Sequence, residues 1–187
     1  MDRNTPLHTL PWHRWVRLLL RQLWQGERAA WRAVPDDMAN RLMRRVQASE
    51  QRHTGQIRVC VEGALPLSYA WRAGRQAPVD AVVRQRALVW FGRLRVWDTE
   101  HNNGVLIYLL LSEHRIEIMA DRGLERCAST PDWQAIVTRL GTHLRSGDFE
   151  TGLTQALEEV SALLVTHFAQ APHVPDTNEL PDLIVRA

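Results

Sequence analysis

Residues 102–123, NNGVLIYLLLSEHRIEIMADRG, constrain the fold of this chain more than any other stretch. Residues 104–111 form an almost unbroken apolar run, too short to cross a bilayer and rich in residues that suit a strand covered on both faces. After the turn Ser112-Glu113-His114, residues 115–121 alternate, with Ile116, Ile118 and Ala120 on one side and Arg115, Glu117, Met119 and Asp121 on the other. A buried strand and a half-covered partner make an antiparallel hairpin. With the turn centred on Glu113, Leu111 falls opposite Arg115 and Gly104 opposite Arg122, which sets Asn102 and Asn103 beside Asp121 and Gly123.

The rest of the chain supplies what such a hairpin needs around it. In residues 56–62, Ile57, Val59 and Val61 alternate against Arg58, Cys60 and Glu62, a strand nearer an edge than the hairpin strand. Residues 63–76, with Pro66 and Gly74, read as a loop, either a surface crossover or a binding loop. Residues 78–97 keep helical spacing through Val79, Val82, Val83, Ala87, Trp90 and Phe91. Strand, helix and strand in this order predict a parallel β-α-β unit joined to the hairpin, hence an α/β fold with a small mixed sheet. Three further helices are expected. One opens at Pro35-Asp36-Asp37 with Met38, Leu42 and Val46 inward. Another opens at Thr130-Pro131-Asp132 with Ile136, Leu140 and Leu144 inward, and a last one is capped by Asp148.

Residues 11–31 predict a strongly amphipathic helix. Trp12, Trp15, Val16, Leu19, Leu20, Leu23 and Trp24 make one stripe, and Arg14, Arg17, Arg21 and Arg28 gather on the other side. Such a helix packs on its own domain, docks on a partner helix, or lies on an anionic membrane surface. The tail from Ala169, with Pro172, Pro175 and Pro181, is expected to be extended or disordered, although Leu183, Ile184 and Val185 could dock on the body. The organisation is therefore an amphipathic N-terminal helix at 1–33, one α/β domain at 34–168 and a proline-containing tail at 169–187.

Composition narrows the function classes. All 23 basic residues are arginine, a pattern that follows from GC-rich codons, and they are balanced by 21 acidic residues with no basic block, so no nucleic-acid partner is expected. Cys60 and Cys127 have no C-x-x-C spacing and the N-terminus has no signal-peptide pattern, which points to a reducing, cytoplasmic setting, peripheral at the membrane if the first helix lies there. No cysteine has an arginine six residues on, and there is no G-x-S-x-G, G-x-x-x-x-G-K or D-x-D. The histidines form no ligand pair on a helix face, which speaks against zinc. What remains is the polar cluster that the hairpin assembles. Oxygens of Asp98, Glu100, Asn102 and Asp121 are hard ligands of the kind calcium or magnesium accepts, and Asn103 and Arg122 would meet a phosphate or carboxylate there. The same residues also fit ordinary turn chemistry and a loop salt bridge.

The pattern T-G-Q-I-R-V at residues 54–59, a helix ending at Phe91, N-N-G-V-L-I at 102–107, then R-I-E-I and Gly123-Leu124-Glu125, resembles the TPM-domain family over residues 35–168. The resemblance implies a compact three-layer α/β/α sandwich. It also implies an acid-phosphatase activity with calcium binding for some members, and pairing with LemA-like helical membrane proteins. Two functions follow: an interaction or accessory module that meets a membrane surface or a LemA-like protein through its first helix, or a metal-assisted phosphatase acting on phosphate esters.

Overall fold

The computed structural model describes residues 11–24, 26–170 and 184–187. Its centre is a parallel pair, β1 (Ile57–Glu62) beside β2 (Val105–Leu110), with Ile57 next to Val105 and Glu62 next to Leu110. β3 (Arg115–Ala120) returns antiparallel along the far side of β2, and β4 (Ile184–Arg186) runs parallel to β1, giving the order β3-β2-β1-β4. Every residue of β1 and β2 is buried. For β1 this corrects the expectation of a strand nearer the edge: the tail's last residues cover its outer side.

Helices close both faces. On one, α3 (Asp36–Glu50), α7 (Thr130–Arg145) and α8 (Phe149–Phe168) bury Leu42, Ile136, Leu153 and Val160 against Val59, Val61 and Ile107. On the other, α1 (Trp12–Trp24), α4 (Leu67–Arg72) and α5 (Val79–Arg93) bury Leu18, Ala70 and Val83 against Leu106, Tyr108 and Leu110. The three-layer α/β/α sandwich is thereby established. α2 (Gly26–Ala33) adds Ala30 to the first core.

Local chemistry explains where elements start. Asp36 and Asp37 occupy the first turn of α3, where the helix dipole favours anions. Asp148 accepts from the Thr151 N–H at the head of α8. α7 begins one residue earlier than expected at its cap: Ser129 is the N-cap, and Asp132 accepts from both its backbone N–H and its hydroxyl. The single helix expected over 11–31 is two helices, the second opening at Gly26, a poor residue for a helix interior. The expected loop at 63–76 contains α4, started by Pro66.

The hairpin differs from the sequence reading by one residue. Leu111 belongs to a four-residue loop that ends in His114 at φ 51°, so Leu110 faces Arg115 and Gly104 faces Asp121, not Arg122. The division of side chains over the two faces of β3 is unchanged. Residues 1–10 and the expected extended tail over 171–183, including Leu183, lie outside the described residues. Ile184 and Val185 do dock. Arg186 fixes them through Asp36 at 2.8 Å, the Val34 carbonyl at 3.2 Å and the Trp31 ring at 3.7 Å.

At the end of β1 a charged group is buried. The Glu62 carboxylate accepts from Arg86 Nη2 at 2.6 Å and Nε at 3.0 Å, from Trp90 Nε1 at 3.0 Å and from the Tyr108 hydroxyl at 2.6 Å. Burial and the Glu62 charge push the Tyr108 hydroxyl far up, so it stays a donor.

Two glycines give opposite expectations. A Cβ at Gly104 would sit 1.9 Å from the Val96 carbonyl oxygen, whereas one at Gly92, inside α5, meets nothing within 4 Å. Gly104→Ala is expected to lower the unfolding free energy by about 3 kcal/mol. Gly92→Ala should raise it by about 0.5–1 kcal/mol. Denaturant titration of both variants reads the signs.

Candidate functional site: a polar corner at the head of the sheet

The register carries the loop before β2 to the end of β3, and three backbone contacts close the corner. The Asp121 N–H donates to the Gly104 carbonyl at 2.8 Å, the Gly123 N–H donates to the Asn102 carbonyl at 2.7 Å, and the Asn102 N–H donates to the Thr99 carbonyl at 3.2 Å. Asn102 takes φ 51°, a left-handed conformation that asparagine tolerates. Gly123 is required by closeness: a Cβ there would lie 2.4 Å from the His101 carbonyl oxygen and 2.6 Å from that of Asn102.

Side chains finish the arrangement. Arg122 Nη2 donates to Asn102 Oδ1 at 2.9 Å. Asp121, almost fully buried, caps the short helix α6 (Arg122–Glu125) by accepting from the Arg122 N–H at 2.8 Å. Asn103 is fully buried; its N–H donates to the Thr99 hydroxyl at 3.1 Å and its Nδ2 to the Thr54 hydroxyl at 3.0 Å. Parallel pairing thus brings residues 53–55, ahead of β1, to the same end of the sheet. His53 is buried there with Nδ1 3.0 Å from the Gly55 carbonyl, so the neutral ring donates from Nδ1 and leaves Nε2 bare. Three buried atoms at this corner have no hydrogen-bond partner: Asp121 Oδ2, Asn103 Oδ1 and His53 Nε2.

The six residues singled out in the sequence are therefore only partly gathered. Asn102, Asn103, Asp121 and Arg122 meet in one network. Asp98 instead pairs with Arg95, whose φ of 54° turns the chain back, and Glu100 is exposed. Among the described residues, no group of three or more His, Cys, Asp or Glu side chains is placed to hold a metal ion. Asn102 Oδ1 accepts from Arg122 and Asp121 Oδ1 from the helix cap, while Asp121 Oδ2 stays bare. Thr99 and His53 lie at the end of the sheet where the strand pairing puts them, without having been singled out as ligands. Thr99 had a signal, a hydroxyl four residues before a strand-leading asparagine, placed to bond local backbone.

A family model described as the TPM domain matches residues 33–163. The chain belongs to the TPM-domain family. The match spans the TPM domain from the end of α2 into α8, and so contains the whole polar corner. Among solved structures, the NMR structure of the BA42 protein from the psychrophilic bacterium Bizionia argentinensis is similar, with a TM-score of 0.66 and 22% identity, covering 82% of this chain and 95% of that one. At this identity it supports the TPM fold alone. No curated protein matches the chain.

Burial holds the His53 side chain neutral, its pKa pushed down to about 4 from the ordinary 6.5. Below pH 6.5 the unfolded chain takes up a proton that folded His53 refuses until about pH 4, so this contribution to stability is complete above 6.5 and is lost as pH falls across that window. The stability difference between the native chain and His53→Gln should be smaller at pH 4.5 than at pH 7.5, by about 2–3 kcal/mol, in denaturant titrations at the two pH values.

Proposed function

We propose that this TPM-domain protein is an accessory module that seats on an anionic membrane surface through the outward row of α1. The observation that carries this reading is an apolar row the body leaves uncovered: Trp12, Val16 and Leu20 are 77%, 36% and 52% exposed at successive one-turn spacings. Arg17 is exposed on the flank of this row, and Arg14 is exposed farther round the helix. The row continues into a second aromatic group. Trp15 meets Trp71 edge-on at 4.7 Å, and the Arg75 guanidinium lies over both rings, at 4.7 and 5.6 Å. Tryptophan rings suit the headgroup level, and each arginine near an anionic surface adds roughly 1 kcal/mol of attraction. No helix among the described residues is long and apolar enough to cross a membrane, so the fit is to lying on one.

The metal-assisted phosphatase reading asks Asp98, Glu100, Asn102 and Asp121 to share an ion, and the pairing of Asp98 with Arg95 supports it less well. A LemA-like helical membrane protein would meet the same row of α1, which makes it the rival occupant.

Sedimentation with lipid-only vesicles separates the two. Anionic vesicles are expected to carry the protein down, neutral vesicles to carry much less, and added salt to weaken the effect. Trp12→Ala with Leu20→Ala should abolish it while leaving the thermal midpoint unchanged. No sedimentation with anionic lipid alone would remove the membrane reading and leave a partner helix.

A further inference from the structure

A chamber of about 380 Å³ opens at the opposite end of the hairpin from the polar corner, between β3 and α7. Its walls include Leu109, Ile116, Val137, Leu144 and Phe149. Gly141 helps to keep it open, because a Cβ there would already lie 3.4 Å from Ile116 Cδ1 and from Arg145 Nη1. The exposed lining residues are His114, Arg115, Thr138 and Arg145, which therefore form the mouth, and no acidic residue lines it. Arg115 is already paired with Asp80 at 2.9 Å. Arg145 donates only to the Thr142 hydroxyl, at 3.2 Å, and has no carboxylate partner among the described residues.

An apolar chamber in the size range of small-molecule sites, with one uncommitted guanidinium at its mouth, selects for a ligand that is apolar along its length and anionic at one end. The planar guanidinium matches a carboxylate in a two-point geometry. We propose that this chamber binds a short-chain fatty carboxylate, its head on Arg145 and its chain against Ile116, Val137 and Phe149. The site is independent of the membrane reading, since α1 packs on the other face of the sheet.

Titration calorimetry of the full chain with decanoate tests it. Decanoate should bind saturably with one site, and decanol and acetate, each lacking one half of the ligand, should bind at least about tenfold more weakly. Arg145→Ala is expected to weaken decanoate by about tenfold with Arg145→Lys intermediate, and Val137→Phe to remove binding by filling the chamber. Arg145 is exposed, so its variants keep the test open if Val137→Phe does not fold. Absence of saturable binding, or binding indifferent to all three variants, overturns the proposal. Binding lost instead in Trp12→Ala with Leu20→Ala would place decanoate on α1 and would overturn it equally.

Discussion

The Glu62 carboxylate is the contact on which the rest of the sandwich depends. It sits at the last position of β1 and takes donors from two other elements, Tyr108 of β2 and Arg86 and Trp90 of α5. Removing one partner would leave a charge buried without compensation, a loss of about 3–5 kcal/mol in comparable cases, whereas the intact pair contributes little net stability over an apolar one. Its value is in position. Side chains alternate along β1, so Cys60 and Glu62 face the α5 layer while Val59 and Val61 face the α3 and α8 layer. A one-residue slip of β1 against β2 would drive Glu62 into an apolar core away from its donors. The network therefore marks one register and excludes its neighbours. Cys60, close by, is inert: burial and the Glu62 charge push its thiol far up.

Once β1 and β2 are in register, the two ends of the hairpin acquire different chemistry. At one end the chain enters β2 through Asn103-Gly104 and leaves β3 through Asp121, so polar groups that bond backbone collect there. At the other end the four-residue loop and α7 diverge around Gly141 and leave a space with apolar walls. The surface of α1 belongs to neither. Three regions with three kinds of chemistry thus follow from one strand pairing and the choice of which helix covers which face, and a change in one need not disturb the others.

What the sequence made legible was whatever has a local period. The hairpin, the parallel unit and the stripes of α3, α7 and α8 repeat every two or every three to four residues, and each is found where that pattern puts it. The hairpin register slipped by one because Leu111 is apolar and reads as strand, while the loop needs it to reach His114 in a left-handed conformation. β4 escaped notice as a strand because three residues carry no period; the open edge of β1 and the hold of Asp36 on Arg186 make it one. At the corner, the meeting of Asn102 with Arg122 and Gly123 was legible from the hairpin. The diversion of Asp98 was not, since it turns on Arg95 adopting a positive φ. Glu62 and Arg86 lie 24 residues apart with nothing local to link them. The only trace is a charged residue in the buried stripe of a helix, beside Val82, Val83 and Ala87.

The orientation of α1 shows why burial alone does not decide which face of a helix a body keeps. One apolar row, with Trp12, Val16 and Leu20, points outward, while Leu18 and Gln22 are buried and Leu19 packs on the core. Gln22 explains the choice. Its Oε1 accepts from the buried Leu65 N–H at 2.7 Å, and its Nε2 donates to Glu113 at 2.6 Å, so one side chain joins the loop after β1 to the hairpin turn. Turning the helix to bury the outer row would leave the Leu65 N–H without its acceptor, at a cost of about 1–3 kcal/mol, and would carry Gln22 away from Glu113. It would also break the stack of Trp15 on Trp71. The outward row is thus held outward by hydrogen bonds made on the opposite side of the same helix. The exposure of Trp12, Val16 and Leu20 is therefore set by the polar contacts of Gln22 and not by any lack of apolar character in the row.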